Sequence, residues 1–197
     1  MNRYSALALI NPGERAEPLA LDFTLELART LHGTVAGPDG EPLTGVEVAG
    51  LTRVSDEEML DGSSFTVAGL NPRCPRDLVF HHRGKSLGKV LTVRGDATGP
   101  LAVRLDPCGS IIGRLVDRVG KPIPGVALLI APHGDGADVS AETARTDRDG
   151  RFRGVVLPGT RYTVTLWLGS RRLLEDVGEM EVEPGGSKDL GDLPVTD

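Results

Sequence analysis

The sequence repeats itself at a constant interval of 80 residues, the separation of Gly33 from Gly113. Five identities fall in one register, and they pair Gly33, Gly40, Pro42, Gly45 and Val46 with Gly113, Gly120, Pro122, Gly125 and Val126. Apolar residues match between them, pairing Leu31 with Ile111, Val35 with Leu115 and Val48 with Leu128. A register kept over this length indicates two copies of one structural unit, which we predict to span residues 31–106 and 109–197.

Each copy has the pattern of short β-strands. An apolar-alternating run leads to a turn at Gly40 or Gly120, a proline follows, and Gly-Val opens the next strand. Residues 64–70 and 151–157 alternate in the same way. Further strands are predicted at residues 77–81, 89–94, 101–105, 162–168, 179–182 and 189–193. Because no window of about eleven residues has a helical period, we predict an all-β protein built from two tandem antiparallel sandwiches.

The same alternation predicts the core. Residues in the apolar phase of these runs should be buried, and they are Val35, Val46, Val48, Phe65, Val67, Leu115, Val126, Leu128, Phe152, Tyr162, Val164 and Leu166. The connection at residues 106–109 spans only about 13 Å when fully extended, at roughly 3.3 Å per residue. The two sandwiches are therefore expected to touch or nearly touch.

Composition and charge limit the partners. The formal net charge of -6 argues against nucleic acid and anionic membranes. The apolar run at residues 6–10 is too short to span a bilayer or to form the core of a signal peptide, so we expect no membrane insertion and no signal peptide in this chain. Two cysteines are too few for a disulfide scaffold. We expect Cys74 and Cys108 to be small buried residues, and the sequence leaves open whether they form a disulfide.

One motif invites a catalytic interpretation. The segment Gly84-Lys-Ser86-Leu-Gly88 matches the Gly-x-Ser-x-Gly string of serine hydrolases. A nucleophile elbow needs a strand, a sharp turn and then a helix, whereas strand-like runs flank this segment on both sides. The sequence therefore favours a hairpin turn, in which Ser86 is only a turn residue, and we predict no catalytic residue.

Metal-binding patterns are equally weak. His81 and His82 are adjacent on a predicted strand, so they point to opposite faces and cannot chelate one ion as a pair. Asp147 begins a loop with alternating carboxylates, but Pro158 stands where a calcium loop needs its last acid. A turn capped by Asp147, with Gly150 at positive φ, is the favoured interpretation. We predict neither a metal site nor a cofactor.

Trp167 departs from the alternation. In residues 162–168 the even positions form the apolar face, which leaves Trp167 on the other face with Thr163 and Thr165. A large aromatic residue in that position packs under a loop or a neighbouring domain, or it contacts a partner or a glycan. We take Trp167, Thr163 and Thr165 as the candidate surface contact.

The repeated pattern resembles the carboxypeptidase regulatory-like domain. The resemblance is carried by the shared Gly-x-Pro-(Leu/Ile)-x-Gly-Val segment of both copies, and in the second copy by Thr146-Asp147-Arg148-Asp149-Gly150-Arg151-Phe152 and Leu157-Pro158-Gly159-Thr160-Arg161-Tyr162. That family is similar in fold to transthyretin (prealbumin) and to Cna-B modules. The resemblance implies two tandem seven-stranded, Greek-key-like β-sandwiches without catalytic activity. Such domains recur in large bacterial surface and envelope proteins.

Residues 1–30 fit the same scheme, because residues 19–27 alternate like the strand that precedes each repeat. We predict an N-terminal β-hairpin that ends a preceding repeat, within a longer bacterial protein. The expected function is a non-catalytic spacer, scaffold or protein-interaction module whose partners are proteins or neighbouring domains. The alternative is a carbohydrate- or peptide-binding module that uses the face around Trp167. Exported as part of a longer protein, it would lie in the cell envelope or outside the cell.

Overall fold

A computed structural model describes residues 4–5, 22, 26–52, 57–72, 75–132, 141–168, 171–174 and 178–195. The described chain is built from β-strands and one short 3-10 turn, Arg83–Lys85, as the all-β prediction requires. No helix in these ranges is long and apolar enough to cross a membrane.

The strands fall into three groups along the chain. An N-terminal pair comprises β1 (Tyr4–Ser5) and β2 (Glu26–Leu27). The first sandwich comprises β3 (Arg29–Ala36), β4 (Glu47–Ala49), β5 (Glu58–Met59), β6 (Ser64–Leu70), β7 (Arg76–His82), β8 (Leu87–Val93), β9 (Leu101–Arg104) and β10 (Asp106–Pro107). The second sandwich comprises β11 (Gly109–Val116), β12 (Ala127–Pro132), β13 (Glu142–Arg145), β14 (Arg151–Val156), β15 (Arg161–Leu168), β16 (Arg171–Leu174), β17 (Met180–Glu181) and β18 (Ser187–Pro194).

Each sandwich consists of a three-stranded and a five-stranded sheet. In the first sandwich the orders are β6-β3-β9 and β10-β8-β7-β4-β5. In the second they are β14-β11-β18 and β13-β12-β15-β16, with β17 also paired to β15. The described residues thus form eight strands per sandwich instead of the seven that the family resemblance implies. The difference comes from two-residue strands such as β10 and β17, which a sequence pattern of alternating runs cannot delimit.

The two sandwiches use the same topology and register. Gly33 lies in the middle strand of its three-stranded sheet and faces Phe65 on β6, and Gly113 faces Phe152 on β14 in the same way. A single bridge joins Ala36 to Pro42 in the first sandwich and Val116 to Pro122 in the second. The domain boundaries drawn from the 80-residue interval stay a prediction.

Strand pairing departs from the antiparallel prediction at one place in each sandwich. The first strand pairs in parallel with the strand that closes its three-stranded sheet, β3 with β9 and β11 with β18. A parallel neighbour cannot be reached by a hairpin, so each closing strand arrives by a crossover from the five-stranded sheet. All other ladders in the described residues are antiparallel.

The predicted core is confirmed for eleven of its twelve residues. Those eleven, from Val35 to Val164, are all at most 8% exposed. The side chain of Leu166 lies outside the described residues. Two apolar clusters result, one inside each sandwich.

The predicted N-terminal hairpin is described only in part. Tyr4 pairs with Leu27 and Ser5 with Glu26, in antiparallel orientation. Most of residues 1–30 lies outside the described ranges. That they end a preceding repeat stays a prediction.

Candidate functional site

The surface residues singled out in the sequence lie on β15, the central strand of the second five-stranded sheet. Thr163 is half-buried and Thr165 is only 8% exposed, so the hydroxyl of Thr165 offers little to a partner. The backbone of Trp167 pairs with Arg172 on β16, whereas the indole lies outside the described residues. Contact of this face with a partner stays a prediction.

The Gly-x-Ser-x-Gly segment is a hairpin turn, as predicted. It joins β7 to β8 through the 3-10 turn, and Ser86 takes the left-handed conformation with φ of 52°. The Nδ1 atom of His82 accepts a hydrogen bond from the Lys85 amide at 3.2 Å and closes the turn. Ser86 is exposed, and it is followed by a strand instead of the helix that a nucleophile elbow requires.

The acidic loop at Asp147 is a side-chain-capped turn, again as predicted. Asp147 Oδ1 accepts hydrogen bonds from the amides of Asp149 and Arg151, both at 2.9 Å, and Gly150 has a φ of 72°. Through these bonds the carboxylate stabilises the backbone conformation of the turn. Among the described residues, no group of three or more His, Cys, Asp or Glu side chains is arranged to hold a metal ion.

The predicted contact between the sandwiches is confirmed, and it forms a joint whose side chains the sequence did not specify. We define the joint as the outer face of the first five-stranded sheet, the linker at residues 106–108, and the end of the second sandwich that covers them. Ala49, Val79 and Val90 form one cross-strand row on that face, since Ala49 pairs with Val79 and Val79 with Val90. All three pack into the apolar cluster of the second sandwich. The first sandwich therefore contributes side chains to the core of its neighbour.

A glycine permits this close approach. Gly88, on β8, lies beneath Leu157 of the second sandwich, and a Cβ at Gly88 would overlap Leu157 Cδ2. Cys108 Sγ would be 3.4 Å from the same Cβ. Any larger residue at this position would displace the end of the Leu157 side chain from β8.

The linker is bonded to both sandwiches. Asp106 and Pro107 pair with Gly88 and Leu87 as an edge strand of the first sandwich. The Cys108 amide donates to the Ser86 carbonyl at 2.8 Å, and the Gly185 amide of the second sandwich donates to the Pro107 carbonyl at 3.0 Å. The linker is thus held by hydrogen bonds along its length.

Cys108 is a free thiol at the joint. It is half-buried and packs against the second apolar cluster, while Cys74 lies outside the described residues. Burial raises the pKa of the Cys108 thiol to about 11. A thiol with such a pKa is protonated near neutral pH and is a poor nucleophile.

A small cavity of about 110 Å³, lined by both polar and apolar residues, opens at the margin of the joint. The first sandwich lines it with Glu47, His81 and Arg83, and the second with Glu142 and Tyr162. Arg83 Nε donates to Glu47 Oε2 at 2.7 Å, and its guanidinium also lies 4.0 Å from Glu57. The charge of Glu142 acts on Arg83 from the opposite sandwich.

Burial and neighbouring charges shift the pKa values of several groups in this cavity. Burial, and then the positive charge of Arg83, lowers the pKa of His81. The hydrogen bond to Glu47 raises the pKa of Arg83. Burial raises the pKa of Tyr162 to about 12, and its hydroxyl accepts a hydrogen bond from the Leu157 amide at 3.0 Å. The cavity therefore holds a neutral imidazole and a neutral phenol beside a paired guanidinium.

One sequence signal could have revealed the joint. Leu78, Val79 and Phe80 are consecutive apolar residues on a strand, and all three are buried. Leu78 and Phe80 belong to the first cluster, so Val79 must point away from it. Three apolar residues in succession indicate a strand that is covered on both faces.

Comparisons with known proteins assign no family to this chain. No family model and no curated protein matches it. Among solved structures it is similar to the Bacillus anthracis TIE protein, with a TM-score of 0.38 and 16% identity over 85% of this chain and 34% of that one. It is similar to the shaft pilin SpaA from Lactobacillus rhamnosus GG, with a TM-score of 0.32 and 13% identity over 85% and 97% of the two chains.

A third similar structure is a DUF3823 family protein from Parabacteroides merdae, with a TM-score of 0.33 and 20% identity over 46% of this chain and 47% of that one. The chain thus spans about a third of the TIE protein and about half of the DUF3823 protein. All these TM-scores are too low to carry an argument about function. The resemblance to carboxypeptidase regulatory-like domains stays a prediction.

Proposed function

We propose that this chain is a non-catalytic tandem β-sandwich module that acts as a stiff spacer or scaffold in a larger bacterial protein. The observation that carries the proposal is the joint, in which Ala49, Val79 and Val90 of the first sandwich pack into the core of the second. A stiff spacer fixes both the distance and the relative orientation of the domains that it connects, and a packed joint between its sandwiches achieves this. A flexible linker would transmit neither.

The energetics of the joint support stiffness. Complete burial of a Val side chain stabilises by about 1.5–3 kcal/mol, and Val79 is 7% exposed. The salt bridge between Lys89 and Asp106, at 2.6 Å, adds a further tie between the linker and β8. It is partly exposed to solvent and therefore contributes less than the apolar contacts.

The partners of such a module are neighbouring domains or another protein, and its place is the cell envelope or the outside of the cell. The proposal draws these from the sequence resemblance. A carbohydrate- or peptide-binding role for the face around Trp167 has weaker support, because Thr165 beside it is buried. We therefore retain one functional proposal.

Amide nitrogen NMR relaxation tests the stiffness at about pH 7.5. Both sandwiches should tumble with one shared rotational correlation time, because they move as one body. Val79→Asp places a charge in the joint and should split the shared value into two shorter ones. Val119→Asp is the control, since Val119 is 87% exposed in the turn after β11, and it should leave the value shared. Two separate correlation times in the wild-type protein would refute the stiff spacer.

The absence of catalysis has its own test. Ser86→Ala should leave every property of the protein unchanged, because Ser86 is an exposed residue of a hairpin turn. Turnover of an activated ester by the purified protein, lost in Ser86→Ala, would overturn the non-catalytic proposal.

A further inference from the structure

We propose that a groove beside β6 is a docking site for an extended peptide segment of a partner protein, which adds to β6 as a further strand. The groove has a volume of about 590 Å³ and lies in the first sandwich, apart from the joint that carries the proposed function. It fits a segment in which an apolar and a basic residue stand two positions apart.

The groove has an apolar floor and a polar rim. Leu51, Leu60 and Phe65 are each at most 6% exposed and form the floor. The polar residues that line the groove are His32, Thr34, Thr52, Glu58, Ser64 and Thr66. Among these described residues Glu58 is the only acid, and no lysine or arginine lines the groove with it.

β6 presents an open edge to this groove. Among the described residues it pairs with β3 alone. The Val35 amide donates to the Ser63 carbonyl at 2.8 Å, which fixes the alternation of this ladder. The N–H and C=O groups of Ser64 and Thr66 therefore point away from β3. They are free to bond an added strand, the usual way in which a sheet edge binds a peptide.

The second sandwich shows that a strand fits in this place. There β13 packs against β14, the equivalent of β6, and a Cβ at Gly154 would lie 3.8 Å from the buried Ala144 Cβ. Ala144 pairs with Leu128, and Glu58 pairs with Val48 in the same register of the first sandwich. Glu58 is exposed, and β5 has two residues where β13 has four. The seam that β13 seals in the second sandwich thus opens into the groove in the first.

The walls of the groove define the chemistry of the segment. An added strand directs a side chain inward at every second residue, about 7 Å apart at roughly 3.3 Å per residue. One such side chain meets the apolar floor at Leu60, and the next meets the carboxylate of Glu58. The formal net charge of -6 also favours a basic segment. A glycan gains less here, because Phe65 is 4% exposed and offers no open ring for stacking.

Fluorescence polarisation with short labelled peptides tests the docking site at about pH 7.5. The probes are Thr-Leu-Thr-Lys-Thr and Thr-Lys-Thr-Leu-Thr, which cover both chain directions, and the same peptides with Glu in place of Lys. The wild-type protein should bind at least one Lys peptide about tenfold more tightly than its Glu counterpart. Glu58→Lys should reverse this preference. Glu41→Lys is the matched control, since Glu41 is an exposed acid in the turn after β3, and it should keep the preference.

Thr66→Pro tests the backbone contact. Proline removes the N–H that points away from β3, so the ladder between β6 and β3 is kept. Binding of the Lys peptide should weaken by about tenfold. Thr66→Val is the matched control, because it removes the hydroxyl and keeps the N–H, and it should bind like the wild type. If circular dichroism shows that Thr66→Pro is unfolded, Ser64→Pro, at the first residue of β6, replaces it.

A wild-type protein that binds none of the four peptides would overturn the docking site and leave the stiff spacer intact, because the groove lies outside the joint. Binding that Glu58→Lys does not alter, or that Thr66→Pro and Thr66→Val weaken equally, would overturn it as well. Sedimentation velocity distinguishes a second copy from a partner. Self-association of the wild-type protein that Thr66→Pro abolishes would assign the groove to another copy of this chain and refute the partner peptide.

Discussion

At the scale of single residues, Gly33 has no side chain, and this allows the Phe65 ring to lie directly against β3. A Cβ at Gly33 would overlap the end of the Phe65 ring, and one at Gly113 would lie 2.8 Å from Phe152 Cζ. The Phe65 ring is held by an edge-to-face contact with Phe80, with centroids 5.1 Å apart. It cannot move aside without disturbing the core.

Gly33→Ala should therefore destabilise the protein by about 1–3 kcal/mol through overpacking. Urea unfolding followed by circular dichroism measures the change. Gly62→Ala is the matched control, because no heavy atom of the described residues lies within 4 Å of a Cβ there, and its effect should be small. Equal free energies of unfolding for the two variants would contradict the close contact between Gly33 and Phe65.

Phe152→Ala is expected to cost about 3–5 kcal/mol, the usual loss for a large aromatic residue removed from a core. Phe152 is 4% exposed, so the deletion leaves a cavity in the second cluster. Val119→Ala, at a side chain that is 87% exposed, serves as the control and should change the stability little. A loss below about 1 kcal/mol in chemical denaturation of Phe152→Ala would show that Phe152 is not a core residue.

At the scale of elements, one turn is built with different side chains in the two sandwiches. After β11, the Asp117 amide donates to the Lys121 carbonyl and the Gly120 amide to the Asp117 carbonyl. After β3, Gly37 makes the same two backbone bonds, with Glu41 and Gly40.

The capping carboxylate occupies a different position in each of these two turns. Asp117 Oδ1 accepts from the amides of Val119 and Lys121, whereas Gly37 has no side chain to do so. Asp39 takes over part of the role and accepts from the Glu41 amide at 3.0 Å. The turn geometry is thus kept while the position of its acid changes.

The loop after β13 repeats this turn at Asp147 and provides its test. Asp147→Ala removes two hydrogen bonds to backbone amides and should cost about 1–2 kcal/mol. Asp147→Asn should cost less, since its amide oxygen can still accept. Asp149→Ala is the control, because the Asp149 side chain makes an exposed ion pair with Arg148 at 3.8 Å and no other contact of this kind within the described part of the chain. Thermal unfolding that ranks Asp149→Ala as the more damaging change would contradict the capping role.

These elements show what could be predicted from the sequence. The alternation of apolar and polar residues predicted the core positions, because successive side chains of a strand point to opposite faces. Val35 and Val164 are examples. Turn chemistry predicted the hairpin at Ser86 and the cap at Asp147, because both depend on residues close in the chain.

The short connection predicted that the sandwiches touch, but the residues that form the joint could not be predicted in the same way. Val79 is covered by a different sandwich, and Gly88 is required by Leu157, which lies far along the chain. The parallel pairing of β3 with β9 was missed because a crossover leaves no mark in a short sequence window.

At the scale of the whole molecule, two cores meet across one joint. The second cluster includes Ala49 and Val79 from the first sandwich, so neither sandwich is complete without the other in this region. The linker adds backbone bonds on both sides, from Cys108 to Ser86 and from Gly185 to Pro107. Unfolding one sandwich therefore exposes part of the core of the other.

Differential scanning calorimetry should show this dependence as a single transition in the wild-type protein. Gly88→Ala displaces the end of the Leu157 side chain and should weaken the packing between the sandwiches, so the transition should become less cooperative. Gly84→Ala is the control in the same hairpin, since a Cβ there would be in ordinary contact, 3.5 Å from the His82 ring. Two separate transitions in the wild-type protein would contradict the coupling of the two sandwiches.

The parallel pairing of opening and closing strands determines how each sandwich responds to tension. Pulling on the start of β11 and the end of β18 drags two parallel neighbours past each other, so their backbone bonds are loaded together in shear instead of being unzipped one at a time. That ladder has six residue pairs, whereas the ladder of β3 and β9 has four. We therefore expect the second sandwich to resist a higher force than the first when the chain is stretched from its ends.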